Sequence, residues 1–331
     1  MTDQAQTATQ PTYDDIVRAA GRILGMAVRT PLIRSSVLDD ITGARVFLKP
    51  ECLQRTGSFK FRGAYNAISA LDPQVRARGI VASSSGNHAQ GVAEAARLHG
   101  VSATIVMPSD APAIKRRRTE DFGANVVSYS RASDDRDAIT AGIAAETGAT
   151  IVHPYEHPYV IAGQGTIGLE LIEDLALMGL SPDAVLVCCG GGGLTAGVAL
   201  AVKERAPGAE IFTVEPAGFD DQARSFASGE RQKNPSNSGS VCDALLAPMP
   251  GALTFSINRP RIARGLAVSD AEAMAAVGFA ARELKLVVEP GGAVALAALL
   301  NGRVDLKGKV VVAVISGGNI DPDVLASALA A

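Results

Sequence analysis

Short apolar runs alternate with helix-length segments along most of this chain. After each run rich in Val, Ile and Ala, small apolar residues recur at helical spacing until a glycine or proline interrupts them. The first series of runs comprises residues 80–84, 102–107, 124–130 and 150–155. Strands separated by helix-length segments are typical of parallel sheets with crossover helices, so the pattern predicts an α/β fold.

A second series begins with a long helical stretch near residues 160–178. Its apolar runs are residues 184–189, 209–215 and 310–316, with predicted helices through Arg205, near 270–286 and near 291–300. Both series indicate sheets that are covered by helices on both faces. We therefore predict two doubly wound open-sheet domains, with the ligand site in the cleft between them at the carboxyl ends of the strands.

Composition and charge limit the classes of function. Hydrophobic residues make up 47% of the 331 residues, which is enough for two domains with a large buried core. The net charge of −3 gives no general attraction to nucleic acid or to anionic membranes. The basic run at residues 115–118 is followed by Glu120 and Asp121, so we interpret it as a solvated helix face.

The cysteines and the amino terminus bear on the compartment. Two of the four cysteines are adjacent in an apolar run and none shows C-x-x-C spacing, which is typical of a reducing compartment. Residues 1–12 are polar and lack the apolar core of a signal peptide, which predicts a loose tail. No stretch is apolar and long enough to span a bilayer, and we expect a cytoplasmic protein.

Four glycines, Gly190–Gly193, stand between a buried strand and a helix in the segment CCGGGGLTAGVAL. Without Cβ atoms, their N–H groups can surround an anion at the start of the helix, which favours a phosphate site that needs no lysine or arginine. The alternative is a flexible or tightly packed turn. No G-K-[ST] follows the run, and only Glu215 approaches the place of a ribose-binding acid, so a nucleotide site is disfavoured.

A second strand-to-helix junction carries the segment SSSGNHAQG, with Ser83, Ser84, Ser85 and Asn87. Such hydroxyl, amide and helix-start N–H groups can bind a carboxylate without a formal positive charge. The alternative is that these residues are helix N-caps, although one cap does not need four of them. His88 could serve as a general base, but on an alanine-rich helix we favour a packed, hydrogen-bonded histidine.

Two further segments contain candidate metal ligands. His153 and His157 have the i, i+4 spacing of a helical metal pair, but Pro154 and Pro158 disfavour a helix there. In VEPAGFDD, residues 214–221, three carboxylates share one loop, which suits a hard cation or else a solvated acidic loop.

Lys60 lies between two phenylalanines in the segment SFKFRGAYNAI. A lysine there either keeps its ammonium in water along an apolar stem, or is a desolvated amine with a lowered pKa that can attack carbonyl groups. The segment alone leaves both interpretations open.

Taken together, these segments resemble the fold-type II pyridoxal 5′-phosphate (PLP) enzymes of the threonine dehydratase and serine racemase family. The matching segments are GSFKFRGA, SSGNHAQGVA, HPY, IAGQGT, GGGGL, VEP, EPGGA and SGGN, in the family's order. The resemblance implies a tryptophan synthase β-like fold with PLP in the interdomain cleft. It also implies a large PLP-binding domain of residues 1–79 and 158–331 and a small mobile domain of residues 80–157.

The resemblance further implies roles for individual residues. Lys60 would bind PLP covalently and later take the Cα proton of the substrate. The other cofactor contacts would be Phe59 against the ring, Asn87 on its 3′ oxygen, Gly190–Gly193 and the Leu194 amide on the phosphate, and Ser316 at the pyridine nitrogen with Glu289 close by. Ser84, Ser85 and the backbone of Asn87 and His88 would hold the substrate carboxylate. Glu215, the Phe219 carbonyl and Asp221 would bind Mg²⁺, Mn²⁺ or Ca²⁺.

The implied activity is an L-threonine and L-serine ammonia-lyase, giving a 2-oxo acid and ammonia by Cα deprotonation and loss of the β-hydroxyl. A serine at the pyridine nitrogen makes the ring a weaker electron sink, which favours elimination over transamination. Ser85 stands where racemases act on the face of Cα opposite the lysine. The alternatives are therefore a serine racemase or a 3-hydroxyaspartate dehydratase, and, less favoured, a β-replacement synthase, a nucleotide-dependent oxidoreductase or a non-catalytic binding module.

Two positions depart from the family pattern, and both are expected to border the substrate. His157 stands where Asn or Asp is usual, and Ala244 replaces a glycine. The resemblance also implies a homodimer acting on a small hydroxy amino acid, without nucleic acid or membrane partners.

Overall fold

The computed structural model describes residues 9–236 and 238–330, and residues 1–8 of the predicted tail lie outside it. Its strands form two sheets, which agree with the α/β fold predicted from the sequence. No helix in the described ranges combines the length and apolar character that a bilayer crossing requires.

The larger sheet has six strands in the order β1-β2-β10-β7-β8-β9, and only the β1–β2 pair is antiparallel. Its strands are β1 (Ile33–Arg34), β2 (Arg45–Pro50), β7 (Ala184–Cys188), β8 (Glu210–Pro216), β9 (Arg264–Val268) and β10 (Val310–Ile315). Helices pack on both faces, so central strands such as β7 are apolar at every position.

The smaller sheet has four parallel strands in the order β5-β4-β3-β6. They are β3 (Ile80–Ser83), β4 (Ala103–Pro108), β5 (Asn125–Tyr129) and β6 (Thr150–Ile151). One continuous stretch of chain therefore supplies all four strands, which lie where the first series of apolar runs predicted them.

Helices connect the strands of both sheets. Those before residue 150 are α1 (Tyr13–Ile23), α2 (Ser36–Thr42), α3 (Lys60–Ser69), α4 (Pro73–Arg76), α5 (Asn87–Leu98), α6 (Ala113–Asp121) and α7 (Arg136–Thr147). The later ones are α8 (Pro158–Leu177), α9 (Gly193–Arg205), α10 (Asp221–Ser228), α11 (Ala252–Asn258), α12 (Asp270–Phe279), α13 (Pro290–Leu300) and α14 (Pro322–Ala330), with a π-helical turn at Ala280–Leu284.

Helix α3 lies between the two sheets. Its side chains Phe61, Ala64 and Ile68 are buried in the core that also contains the strands of the smaller sheet. The domain boundary predicted at residue 79 assigns this helix to the larger domain, and that division of the chain stays a prediction. Because Lys60 begins α3, its position depends on packing against both layers.

A buried ionic network anchors α3 on the side of the larger sheet. The Arg62 guanidinium donates to Glu51 at 2.8 Å and to Glu170 at 2.6 Å, and Lys49 donates to Glu170 at 2.6 Å. Arg62, Glu51 and Lys49 are fully buried. Burial alone would raise the pKa of Glu51, but the Arg62 charge outweighs it and holds that pKa below its ordinary value.

Candidate active site

The carboxyl ends of β3, β7 and β10 open into one cleft together with the starts of α3, α5 and α9. The cleft is lined by Phe59, Lys60, Ser84, Ser85, Asn87, His88, Gly190–Gly193, Leu194 and Ser316, all of which the sequence predicted. Glu289 lies behind Asn87, and the predicted cation ligands Glu215, Phe219 and Asp221 do not line the cleft. Residues that are distant along the chain thus meet where parallel strands end.

Lys60 is the first residue of α3, and its amine faces the cleft. Nζ donates to the Pro154 carbonyl at 3.0 Å and lies 5.1 Å from the centre of the Phe59 ring. Burial lowers the pKa of the amine to about 8, because the charged form is poorly solvated there. Of the two interpretations of the sequence, the structure favours a desolvated amine over a solvent-seeking ammonium.

The glycine run forms a cup whose carbonyl oxygens are held on its outer side. Gln222 Nε2 donates to the Gly190 carbonyl at 2.9 Å, Thr254 Oγ1 to that of Gly191 at 2.6 Å, and Asn258 Nδ2 to that of Gly192 at 3.2 Å. Among the described residues, none accepts a hydrogen bond from the amides of residues 190–194. These amides and the start of α9 therefore form a site for a phosphate group.

Tyr155 covers the glycine cup so closely that no side chain fits there. A Cβ atom added at Gly191 would lie 2.5 Å from the Tyr155 ring, and one at Gly193 would lie 2.9 Å from its Cβ. Gly192 adopts φ +94°, which L-residues rarely do. The glycines are therefore required by tight packing, which disfavours a flexible turn, and the phosphate interpretation depends on the free amides of the run.

The segment at residues 153–156 connects the amine to the cup. The His153 ring Nδ1 accepts from the amides of Tyr155 and Glu156, at 3.3 and 2.9 Å, and so shapes the segment. Glu156 accepts from the amides of residues 252–254 at the start of α11. The expectation that no helix joins His153 and His157 is confirmed, because residues 154–156 form a bend and α8 begins only after His157.

The start of α5 provides the predicted carboxylate nest. Ser84 Oγ accepts from the Gly86 amide at 3.1 Å. Residues 85–88, at the start of α5, line the cleft. His88 Nε2 donates to the Val152 carbonyl at 2.8 Å, and burial lowers the pKa of the imidazole to about 3. The histidine is thus neutral and packed, as expected, which leaves its backbone for the substrate.

Asn87 and Glu289 form a pair at the back of the cleft. Asn87 Nδ2 donates to Glu289 Oε1 at 2.5 Å, and its Oδ1 accepts from Asn319 at 2.8 Å. Ser316 lies opposite, held by backbone bonds to Phe59 and Gly292. Glu289 thus acts on the cleft through Asn87 rather than by lining it.

The interpretation of residues 115–118 as a solvated face is wrong for Lys115. This lysine is 3% exposed and lines the cleft, with Nζ 2.8 Å from Asp243 and 3.2 Å from Glu289. The two carboxylates raise its pKa despite burial. The run of like charges gave no indication of this, because the partners come from distant segments of the chain.

Several other residues of the site had no role predicted from the sequence. Gln222, Thr254 and Asn258 hold the glycine carbonyls, and Tyr155 covers the cup. Arg131 and Arg136 also line the cleft. Both departures from the family pattern were expected to border the substrate; Ala244 lines the cleft, whereas His157, the residue before α8, does not.

Glu215 near the end of β8 and Asp221 at the start of α10 form a separate buried cluster. Glu215 accepts from the amides of Gln222 and Ala223 at 2.9 Å, and Asp221 Oδ1 accepts from Asn234 at 2.6 Å. Asp221 Oδ2 is buried without a partner, and burial raises the pKa of this carboxyl to about 7. Within the described residues no cluster of three or more His, Cys, Asp or Glu side chains has metal-ligand geometry, so cation binding stays a prediction.

The cleft fits PLP on its own chemistry. An amine with a lowered pKa could bind the aldehyde, orphaned amides at a glycine cup could bind the phosphate, and neutral polar groups lie between them. Lys60 would hold the aldehyde end and residues 190–194 the phosphate end.

Comparison with known proteins agrees with this chemistry. The chain is 45% identical over 318 residues to the L-threo-3-hydroxyaspartate ammonia-lyase of Pseudomonas sp, covering 96% of this chain and 98% of the relative. It is 42% identical to the L-threonine ammonia-lyase of Thermotoga maritima, covering 95% and 77%. The solved structure of maize serine racemase superposes with a TM-score of 0.91 at 36% identity, covering 97% and 98%.

A protein-family model described as pyridoxal-phosphate dependent enzyme matches residues 23–317, which span both sheets and all of the cleft. With this match, the solved relatives and the geometry of Lys60 and the glycine cup, the chain belongs to the fold-type II family of pyridoxal-phosphate dependent enzymes that includes the threonine dehydratases and serine racemases.

Proposed function

We propose that this protein is an ammonia-lyase that converts small 3-hydroxy amino acids to a 2-oxo acid and ammonia. The main support is that one cleft combines a desolvated amine, a neutral carboxylate nest and a phosphate cup. The net reaction is balanced, because the water lost with the β-hydroxyl is regained when the released enamine hydrolyses.

Lys60 is the proposed base of the reaction. When bound, PLP supplies the electron sink that makes the Cα–H bond of an amino acid acidic. Because the pKa of Lys60 is lowered to about 8, a larger fraction of its amine is neutral near pH 7 than for an ordinary lysine. That amine can accept the Cα proton if the substrate carboxylate is held at the start of α5.

The surrounding residues orient the substrate and restrict the chemistry. Ser84, Ser85 and the amides of Asn87 and His88 hold the carboxylate, which fixes the direction of the Cα–H bond. Ser316 contributes a neutral hydroxyl in place of a carboxylate. This favours prompt loss of the β-hydroxyl over long-lived carbanion character at Cα.

Serine racemisation is a second candidate activity, favoured by Ser85 in the same cleft as Lys60. In that reaction one group takes the Cα proton and the other returns a proton on the opposite face. If Ser85 is that second group, Ser85→Ala lowers D-serine formation more than oxo acid formation from L-serine. Equal losses in both would show that Ser85 is not the second group, and no D-serine formation by the unchanged protein would leave elimination as the sole activity.

The cleft lining distinguishes two classes of substrate. L-Threonine and L-serine need no charge partner beyond the carboxylate nest, whereas 3-hydroxyaspartate carries a second carboxylate. Arg136 lines the cleft with Asp137 as its acidic contact at 3.2 Å, and its side chain is 39% exposed. Arg131 also lines the cleft and pairs with Asp110 at 2.9 Å. These cations favour 3-hydroxyaspartate as the preferred substrate.

Steady-state kcat/KM for the three amino acids, measured as oxo acid release, tests both classes. We expect the highest value for L-threo-3-hydroxyaspartate and a selective loss of about tenfold or more for it in Arg136→Ala, from loss of one charge-assisted hydrogen bond. Arg117→Ala, on the exposed face of α6, is the matched control. Higher kcat/KM for threonine, with no selective loss in Arg136→Ala, would reverse the assignment.

We also propose that Glu215, the Phe219 carbonyl and Asp221 bind a divalent cation. Two buried carboxylates with an unpartnered oxygen suit Mg²⁺, Mn²⁺ or Ca²⁺.

A further inference from the structure

We infer that Lys115 and Arg118 of α6 are positioning residues that fix the side-chain amide of Asn87, so that one of its N–H groups points into the cleft. The inference rests on the proposed function only in naming the reaction that this N–H group serves. It gives a role to the basic run at residues 115–118.

The two cations hold opposite ends of one buried hydrogen-bond chain. Lys115 Nζ donates to Glu289 Oε2 at 3.2 Å, and Glu289 Oε1 accepts from Asn87 Nδ2 at 2.5 Å. At the other end, Arg118 Nη1 donates to Asn319 Oδ1 at 2.7 Å, and Asn319 Nδ2 donates to Asn87 Oδ1 at 2.8 Å. Residues 115 and 118 are one helical turn apart, so both reach the same chain.

The direction of every bond in the chain follows from its ends. A guanidinium only donates, so Asn319 presents its oxygen to Arg118 and its amide nitrogen to Asn87 and to the Thr56 carbonyl, the latter at 2.9 Å. An ionised Glu289 only accepts, so Asn87 presents its nitrogen to it. One N–H of that nitrogen is used by Glu289, and the second remains for a group in the cleft.

Two glycines leave the space that this arrangement needs. A Cβ atom at Gly86 would lie 2.4 Å from Cδ of Lys115, and one at Gly317 would lie 2.2 Å from Oε1 of Glu289. The Lys115 side chain thus extends from α6, beside the smaller sheet, across the backbone of Gly86 to the carboxylate of Glu289, beside the larger sheet. The packing shows that the contact is built into the cleft walls.

Protonation of Glu289 would disrupt this hydrogen-bond chain. Burial and Asp243 raise the pKa of Glu289, whereas Lys115 lowers it. Two further groups surround this carboxyl: the Asn87 amide donates to it, and the charge of Glu289 contributes to raising the pKa of the Cys52 thiol. A protonated Glu289 no longer holds the Asn87 amide nitrogen by a charge-assisted hydrogen bond, and the amide is then oriented from the Asn319 side alone. The N–H donor in the cleft is then less firmly fixed.

Lys115→Met tests this chain by removing the cation while keeping the apolar stem. We expect about a tenfold or larger fall in kcat with little change in KM, from loss of one charge-assisted hydrogen bond. The acid limb of the kcat/KM profile should move to higher pH, because Glu289 protonates more easily without Lys115. Lys115→Arg should restore the profile, and the exposed Arg117→Met should match the unchanged protein.

A substrate-free readout separates this inference from the proposed function. The visible spectrum and the dissociation constant of bound PLP should change with pH in Lys115→Met, and should lose that pH dependence when Glu289→Gln is added. Non-additive effects of the two changes support the chain. Additive effects, or a Lys115→Met protein that behaves like Arg117→Met, would overturn it. Should Lys115→Met not fold, Arg118→Met probes the opposite end, and an unchanged PLP spectrum there overturns the inference equally.

Discussion

At the scale of single residues, chemistry depends on which side chains are buried, and the sequence indicates this unevenly. The two phenylalanine neighbours of Lys60 indicated an apolar setting, but its choice as the cofactor lysine came from the resemblance of several segments to a known family. The setting of Lys115 could not be predicted, because it is made by Asp243 and Glu289, more than a hundred positions away. Local neighbours are visible in a sequence, and long-range partners are not.

The lowered pKa of Lys60 predicts how apoprotein takes up PLP. Only the neutral amine attacks an aldehyde, so the rate constant of uptake should rise with pH and reach half its maximum near pH 8. Stopped-flow absorbance on apoprotein measures this. Lys60→Ala should retain no cofactor after borohydride reduction, whereas the exposed Lys307→Ala should behave as the unchanged protein. A midpoint at the ordinary lysine pKa would contradict the prediction.

The carboxylates after β8 predict stabilisation by divalent cations. At a cation concentration a hundredfold above its dissociation constant, stability should rise by about 2.7 kcal/mol, seen as a higher thermal midpoint. Because the pKa of Asp221 is raised to about 7, protons compete with the cation and the effect should fade as pH drops below that value.

Asp221→Asn should abolish this stabilisation by Mg²⁺, while Asp220→Asn, a neighbouring carboxylate that is not among the proposed ligands, should keep it. Equal stabilisation of both variants would show that the cation binds elsewhere.

At the scale of elements, the strands and the glycine cup were the most predictable features. The runs at 184–189 and 310–316 coincide with β7 and β10 to within one residue, because buried parallel strands are uniformly apolar. The predicted runs omit β1, β2 and β9: β1 has two residues, β9 is only partly buried, and in β2 the apolar residues are bounded by Arg45, Lys49 and Pro50. The cup was predicted, but not Gln222, Thr254 and Asn258, whose amides and hydroxyl orient it from outside.

A methyl group at Gly191 should damage the cup. Gly191→Ala places a carbon 2.5 Å from the Tyr155 ring, and the overpacking of about 1–3 kcal/mol predicts about a tenfold or larger rise in the PLP dissociation constant. Fluorescence titration of apoprotein measures it. Gly208→Ala, in open space after α9, should change nothing. Equal affinity in both variants would mean that the cup tolerates side chains.

At the scale of the whole molecule, α3 joins the two sheets. Its apolar side enters the core of the smaller sheet, and Arg62 fastens it to Glu51 and Glu170 on the other side. Sequence predicted the two sheets from their apolar runs but not this junction. Nothing in the residues next to Arg62 in the sequence indicates whether its side chain is solvated or, as the structure has it, fully buried.

Breaking the buried network should destabilise the whole protein. Arg62→Met leaves the Glu51 and Glu170 carboxylates buried without their cation, and the free energy of unfolding should fall by about 3–5 kcal/mol. Urea denaturation of the holoprotein measures this. Arg18→Met, which removes a solvent-exposed pair with Asp15, should leave stability unchanged within error. A similar small effect for both would show that the network adds no net stability.

The short turn from His153 to Glu156 has a consequence for ligand size. The Pro154 carbonyl accepts a hydrogen bond from the Lys60 amine, and the Tyr155 ring covers the glycine cup. The Glu156 carboxylate accepts from the amides at the start of α11. Three consecutive residues therefore set the span between the two ends of any cofactor in the cleft. We expect a pyridoxal phosphate analogue with one extra methylene between ring and phosphate to bind more weakly than pyridoxal phosphate, because this turn contacts both the Lys60 amine and the glycine cup.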